Sequence, residues 1–115
     1  MSSWLAQRPM VGTSAYAARK GGLDALMQVV AREVGPDRIR TSSIYPGVID
    51  TPMYRRLGND DPALARFPAI TPLRGAGQPA DVGDVAVWLL GEKARFVTVQ
   101  SLMVDGGFTL ASGLS

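Results

Sequence analysis

Cysteine and histidine are both missing from this chain of 115 residues. The lack of cysteine excludes a disulfide scaffold and any thiolate metal site, and it fits a reducing compartment. The lack of histidine removes the commonest catalytic base and metal ligand. We therefore expect no metal centre and a cytoplasmic location, and any acid–base chemistry has to use tyrosine, lysine, aspartate or glutamate.

Long apolar runs and an excess of one charge are missing as well. No apolar run approaches the ~18 residues that a membrane span needs, and no basic segment leads into an apolar stretch as in a signal peptide. The 12 Lys and Arg residues are nearly balanced by 10 Asp and Glu, and the arginines are scattered rather than gathered among aromatic residues. The sequence thus predicts neither a membrane partner nor a nucleic-acid partner.

The residues that are present favour one folded domain, because hydrophobic types make up 46% of the chain and charged types 19%. Apolar residues recur at three- and four-residue spacing from Ser14 to Val34, and Gly35-Pro36 ends this helix. A later stretch is punctuated by prolines, which is more often a lid or binding loop than a scaffold element. The predicted elements are, in order, a helix over 14–34, a strand over 38–45, a loop region over 48–78, a helix over 79–91 and a strand over 97–104.

This order of elements predicts an α/β fold. Two strands joined by so long a crossover favour a parallel arrangement with right-handed connectivity. Two strands alone make a poor sheet, however, since both keep an open edge. The apolar stripe of the long helix also needs cover, so the pattern predicts either further strands or self-association.

Tyr16 and Lys20 are the residues with the clearest chemical potential. They lie four positions apart on the first helix, so their side chains project from one face. A lysine ammonium beside a phenol favours the phenolate and lowers the tyrosine pKa from ~10, which lets tyrosine act as a general acid or base without histidine. The alternative is a tyrosine ring that simply packs on the lysine stem, and this is the commoner outcome at such spacing.

The segment from Ser14 to Leu23, SAYAARKGGL, resembles the active-site helix of the short-chain dehydrogenase/reductase family, whose signature is Y-x-x-x-K. The family also has a serine thirteen residues before the tyrosine, which here is Ser3. Three further segments are similar to family segments in the same order. They are Ile44–Thr51, Pro72–Val82 and Val104–Gly107.

The resemblance implies an NAD- or NADP-dependent oxidoreductase that acts on a small alcohol or carbonyl substrate. Tyr16 would be the general acid or base that exchanges a proton with the substrate oxygen. Lys20 would lower the tyrosine pKa and hydrogen-bond the nicotinamide ribose. Ser3 would hold the substrate oxygen and stabilise its developing charge.

The resemblance also implies a cofactor-binding turn after the first strand. Pro46 and Gly47 would form the turn, backbone groups of Ile49 would meet the nicotinamide carboxamide, and Thr51 would contact the carboxamide or phosphate side. The segment from about 52 to 72 would face the substrate. The choice between NAD and NADP, and the identity of the substrate, are not decided by these residues.

The fold that the resemblance implies for residues 1–115 is a single partial domain. It is the C-terminal half of a Rossmann-like doubly wound parallel sheet, and it lacks the N-terminal nucleotide-binding βαβ unit with its glycine-rich turn. We expect that unit to be encoded upstream of Met1, and we expect the isolated chain to be inactive because nothing else positions the hydride donor. The alternatives are a truncated, non-catalytic remnant that folds as a self-associating module, and an isolated half that still binds nicotinamide.

Two positions depart from the family pattern, and one family property bears on assembly. Val99 stands where the family usually has glycine, and Ser42 stands where asparagine is typical. In the family the helix that carries the tyrosine and lysine packs against its counterpart in a partner subunit. The resemblance therefore implies a homo-oligomer.

Overall fold

The computed structural model describes residues 14–60, 62 and 64–111. Its longest element is helix α1, Ser14–Val34. A 3-10 turn at Gly35–Asp37 follows, and Arg38 then takes a left-handed conformation with φ +63° while its N–H donates to the Gly35 carbonyl at 2.8 Å. Proline in this turn cannot continue the α-helix, so the chain reverses here.

Two short parallel strands form the sheet. Strand β1, Ser43–Pro46, pairs with β2, Ser101–Val104, and the register runs from Ser43 opposite Ser101 to Pro46 opposite Val104. This small parallel sheet, flanked by helices, confirms the predicted α/β class. Within the described residues no helix is long and apolar enough to cross a bilayer.

Both strands begin later than predicted, so the spans 38–45 and 97–104 were too long. Side-chain hydroxyls take over part of the backbone pairing before β1: the Thr41 amide donates to Thr98 Oγ1 at 3.1 Å, and the Gln100 amide donates to Ser42 Oγ at 3.3 Å. Hydroxyls that capture backbone groups in this way compete with sheet formation. Val99 adds a second break because its φ is +56°.

Val99 is strained by this conformation, since a β-branched residue at positive φ is a genuine outlier. Its N–H still donates to the Thr41 carbonyl at 2.7 Å, so the neighbouring structure holds it in place. Strain of this kind costs about 1–3 kcal/mol, whereas glycine adopts the same φ freely. The structure thus gives a physical reason for a glycine at this position.

We expect Val99→Gly to raise the free energy of unfolding by about 1 kcal/mol, because relief of strain exceeds the entropy cost of glycine. Urea denaturation followed by circular dichroism measures this change. Val99→Ala is the matched control, since alanine keeps a Cβ at the same φ and should gain less. A lower stability for the glycine variant would contradict the expectation.

Short helices fill the region between the two strands. Helix α2 covers Pro52–Asp60, a 3-10 turn covers Leu64–Arg66, and helix α3 covers Phe67–Ile70. Helix α4 covers Pro79–Leu90, which is one residue shorter than predicted, and α5, which follows β2, covers Phe108–Ala111. The irregular region 48–78 therefore consists of several one- or two-turn helices joined by bends.

Helix α4 is fixed at both ends. At its start Pro79 occupies the first turn, and the Gln78 amide donates to Asp81 Oδ2 at 2.7 Å. At its end the Arg40 guanidinium donates to the carbonyls of Leu89 at 2.6 Å and Ala94 at 3.0 Å. A cation on the last carbonyls complements the helix dipole and satisfies acceptors that the helix leaves open.

The hydrophobic core lies beyond the carboxyl ends of the strands. Val48, Phe67 and Phe108 are buried together, and the two phenylalanine rings meet with centroids 5.0 Å apart. Tyr54 and Leu64 pack against this cluster from the short helices. Elsewhere several large apolar side chains are exposed, among them Leu26, Val29, Val87, Leu90 and Phe96.

Candidate active site

Helix α1 runs antiparallel to β1. Asp24 accepts a hydrogen bond from the Tyr45 hydroxyl, and three residues further along the helix the Met27 carbonyl accepts one from Thr41 Oγ1 at 3.2 Å. Going forward along α1 from Asp24 to Met27, the hydrogen-bond partners go backward in sequence from Tyr45 to Thr41. Lys20, one turn before Asp24, therefore lies toward the carboxyl end of β1, which is where ligands bind in parallel α/β sheets.

Tyr16 and Lys20 are both within α1, four residues apart, which corresponds to a rise of about 6 Å. The side chain of Lys20 is half-buried. Ser3 and the side chain of Tyr16 lie outside the part of the chain that the structure describes. The helix backbone therefore places the tyrosine and the lysine at successive turns of the end that points to the strand termini.

Gly47 brings the turn after β1 into direct contact with the end of β2. Its amide donates to the Val104 carbonyl at 3.0 Å. A Cβ at this position would lie 2.5 Å from the Asp105 Cβ and 2.7 Å from the Asp105 Cα. Only glycine allows this approach, so residue 47 fixes where the turn begins.

Ile49 forms a parallel bridge with Gly77. The two hydrogen bonds of the bridge use the Val48 carbonyl, which accepts from the Gly77 amide at 2.9 Å, and the Asp50 amide, which donates to the Gly77 carbonyl at 2.8 Å. The amide and the carbonyl of Ile49 itself take no part in the bridge and point to the other side. One donor and one acceptor on adjacent backbone groups match the amide of a carboxamide ligand.

Thr51 caps helix α2. Its Oγ1 accepts a hydrogen bond from the Tyr54 amide at 3.2 Å, and its carbonyl accepts one from the Arg55 amide at 3.0 Å. Because the hydroxyl oxygen is used as the acceptor, the hydroxyl proton remains for a ligand. The predicted contact between Thr51 and a cofactor is compatible with this cap.

Side-chain hydrogen bonds of Arg55 and Tyr54 connect residues within the segment from Asp50 to Leu64. Arg55 donates to both carboxylate oxygens of Asp50, at 2.7 and 2.9 Å, and these hydrogen bonds lower the pKa of Asp50. The Tyr54 hydroxyl donates to the Leu64 carbonyl at 2.7 Å, and burial raises the pKa of this phenol, with a smaller contribution from Asp50. The Tyr54 hydroxyl therefore acts as a hydrogen-bond donor that joins α2 to the 3-10 turn at Leu64–Arg66.

A trough of about 700 Å³ opens at the carboxyl ends of the strands. Its walls include Val48, Ile49, Val85 and Met103, with glycine backbone at 75 and 77, so most of the surface is apolar. An apolar wall of this kind is compatible with a flat ring such as nicotinamide, and of the residues predicted to bind the cofactor Ile49 lines the trough. Within the described part of the chain no G-x-x-x-G-x-G turn joins a strand to a helix.

Asp24 is the residue of this region that sequence reasoning missed. It is 93% removed from solvent, with an exposed fraction of 7%, and its partner Tyr45 is exposed by 1%. The available signal is its spacing, since Tyr16, Lys20 and Asp24 follow one another at four-residue intervals on one face of α1. Within the described residues no cluster of acidic side chains could hold a metal ion.

Comparison with known proteins decides the family. A sequence model for the family described as Enoyl-(Acyl carrier protein) reductase matches residues 1–109. The structure superposes on a short-chain type dehydrogenase/reductase from Mycobacterium ulcerans with a TM-score of 0.88 and 35% identity, over 96% of this chain and 40% of that one. The chain belongs to the short-chain dehydrogenase/reductase family. The resemblance found in the sequence is thus confirmed.

Two further proteins show the same relation to this chain. The 3beta-hydroxysteroid dehydrogenase 1 of Eggerthella lenta is 38% identical over 85% of this chain and 38% of its own length. A blue fluorescent protein from a metagenomic library, solved in complex with NADPH, is 35% identical with a TM-score of 0.82, over 93% of this chain and 42% of its own. The chain therefore spans about two fifths of the length of these relatives.

Proposed function

We propose that this chain is the catalytic part of an NAD(P)-dependent oxidoreductase that transfers hydride between nicotinamide and an alcohol or carbonyl substrate. The observation that carries the proposal is the course of α1, which directs Tyr16 and Lys20 to the carboxyl end of β1, beside the turn at 46–51. This is the side of a parallel sheet where substrates and cofactors bind. The substrate-facing wall would come from residues 52–72.

The proposed chemistry needs one proton and one hydride. Nicotinamide, when bound, supplies or accepts the hydride. In the direction of reduction the Tyr16 hydroxyl gives its proton to the substrate oxygen as the carbonyl carbon becomes an alcohol carbon, and in the direction of oxidation the phenolate takes that proton back. Lys20 stabilises the phenolate by its charge, and the Ser3 hydroxyl hydrogen-bonds the substrate oxygen as charge develops on it.

The cofactor would be held at its nicotinamide end by this chain. Lys20 would bind the ribose, the amide and carbonyl of Ile49 would bind the carboxamide, and the free proton of the Thr51 hydroxyl would bind the carboxamide or phosphate side. The NADPH complex of a relative supports a cofactor of the NAD(P) class. A dinucleotide-binding βαβ unit would be needed for the pyrophosphate and for the choice between NAD and NADP. A reducing location such as the cytoplasm suits a chain without cysteine.

A chimera tests the proposal. The N-terminal part of the NADPH-bound relative, which this chain does not cover, is joined ahead of Met1. We expect the chimera to change the fluorescence of NADPH on binding and to oxidise NADPH with carbonyl compounds, including a 3-oxosteroid chosen from the name of one relative. The 115-residue chain alone should give no turnover, because contacts to the ribose and carboxamide, without a site for the pyrophosphate, would not hold the hydride donor firmly enough.

The same experiment separates the second candidate, a non-catalytic module that self-associates. That candidate is favoured by the large apolar side chains exposed on and after α4, where Val87 is 70%, Leu90 83% and Phe96 92% exposed. If these side chains form one contiguous patch, it would be large enough to bind a second copy of the chain. A chimera that folds and binds NADPH without turnover, together with a dimer of the chain alone in sedimentation, would replace the first proposal by the second.

A further inference from the structure

The buried pair of Asp24 and Tyr45 joins the two elements on which the proposed site is built. Asp24 lies on α1 one turn after Lys20, and Tyr45 lies on β1 directly before Pro46. The Tyr45 hydroxyl donates to Asp24 Oδ2, and both side chains are buried. The pair therefore connects the helix of the proposed acid–base residues with the strand that leads into the proposed cofactor turn.

Stability alone does not explain why a carboxylate and a phenol, and not two apolar side chains, are buried at this place. Aspartate is almost never buried unless it is paired, because a carboxylate loses its hydration there. An apolar pair of similar volume often fills such a space at equal or better stability. A hydrogen bond supplies what apolar contact does not, namely a fixed distance and direction between two atoms.

The pair lies at the end of β1 that leads into the turn at 46–51, so the direction of its hydrogen bond bears on how α1 lies against that turn. A second side-chain hydrogen bond from this region to α1, from Thr41 to Met27, lies before the strand begins. The Tyr45 bond lies at the opposite end, next to the turn. Two hydrogen bonds at separate points along α1 fix both its rotation about its own axis and its position along the strand. The Asp24–Tyr45 bond is one turn from Lys20, so it has the larger effect on where Lys20 lies.

We propose that Asp24 and Tyr45 are positioning residues, whose hydrogen bond sets the placement of Tyr16 and Lys20 relative to the turn at 46–51. The inference rests on the proposed function for its effect on turnover. Both side chains are buried away from the surface at which substrate and cofactor would bind, so the proposed role is indirect. The pair acts by holding α1 in one rotational setting, and misplacement of a reacting group by about 1 Å is enough to slow catalysis about 100-fold.

Three variants of the chimera test the effect on turnover. Tyr45→Phe removes the donor, and we expect kcat to fall about 10- to 100-fold with little change in KM. Asp24→Asn keeps an oxygen that accepts from Tyr45, so kcat should stay within about threefold of the parent. The double variant Asp24→Leu with Tyr45→Phe makes the pair apolar, and we expect it to fold as stably as the parent yet to remain slow.

The double variant decides between positioning and mere packing. A stable double variant that regains the parent kcat would overturn the proposal, and so would an Asp24→Asn variant as slow as Tyr45→Phe. A loss confined to KM would also overturn it, because a displaced general acid lowers kcat. Urea denaturation of each variant reports stability separately from these rates.

A distance measurement on the 115-residue chain does not depend on activity. Since the chain has no cysteine, single cysteines introduced at the exposed residues Gln28 on α1 and Met53 on α2 accept spin labels without background. We expect a narrow distance distribution in the parent and in Asp24→Asn, and a broader one in Tyr45→Phe and in the double variant. Unchanged distributions in all four chains would overturn the inference even if the chimera is active. Broadened distributions in the Tyr45→Phe and double variants, together with an inactive chimera, would support the inference while the proposed function fails.

Discussion

Replacement of Tyr16 by phenylalanine in the chimera should lower turnover by about 100- to 10,000-fold, which is the usual contribution of a positioned proton donor. Phenylalanine keeps the ring but has no proton to exchange with the substrate oxygen. NADPH binding should change little, because the cofactor is held mainly through groups other than this hydroxyl. Steady-state oxidation of NADPH and titration of its fluorescence measure the two quantities.

Tyr54→Phe is the matched control for this prediction. The Tyr54 hydroxyl donates to the Leu64 carbonyl within the short helices, so its removal costs about 1 kcal/mol of stability. Turnover of this control should be largely retained. Tyr16→Phe with parent-like turnover would show that the Y-x-x-x-K spacing is a packing feature, which is the alternative left open by the spacing itself.

Replacement of Gly47 by alanine should lower the free energy of unfolding by about 3 kcal/mol, the upper part of the range for an overpacked site. The added Cβ would lie 2.5 Å from the Asp105 Cβ and 2.7 Å from the Asp105 Cα, and these atoms cannot move without the end of β2. The hydrogen bond from the Gly47 amide to the Val104 carbonyl would be stretched at the same time. In the chimera the displaced turn should also weaken NADPH binding.

Gly58→Ala provides the opposite control. Gly58 lies inside α2, and a Cβ built there meets no atom within 4 Å. Alanine in a helix interior should therefore stabilise the chain by about 0.5–1 kcal/mol. Urea denaturation of the two alanine variants measures the change in the free energy of unfolding, which should fall for Gly47→Ala and rise for Gly58→Ala. Equal changes at the two glycines would contradict the close approach of the turn to β2.

Local chemistry in the sequence accounts for some elements and not for others. The end of α1 follows from Gly35-Pro36, because glycine favours the C-cap region and proline disfavours a further helical turn. The start of each strand could not be predicted locally, because it depends on the hydroxyls of Ser42 and Thr98, each of which accepts from a backbone amide of the opposite segment, and on the left-handed backbone of Val99. Hydrogen bonds between residues more than fifty positions apart leave no periodic trace.

The residues of the candidate site also differ in whether local sequence predicts them. Tyr16 and Lys20 are visible because four-residue spacing and a family signature coincide on one helix. Asp24 has the same spacing, yet an aspartate on a helix usually marks a solvated face. Its burial depends on Tyr45, which is 21 residues away and becomes a neighbour only when α1 packs against β1. Tertiary contact, not local propensity, makes it part of the site.

The location of the core links substrate choice to folding. Tyr54, Leu64 and Phe67 belong to the segment proposed to face the substrate, and the same three side chains make up much of the core around Phe108. In many enzymes a specificity loop can be exchanged because it contributes little to the scaffold. Here an exchange of residues 52–72 removes the ring that packs on Phe108, so a replacement segment has to supply an apolar side chain of similar volume at that place if the core is to be kept. The evolution of specificity in this chain is thus constrained by the need to keep it folded.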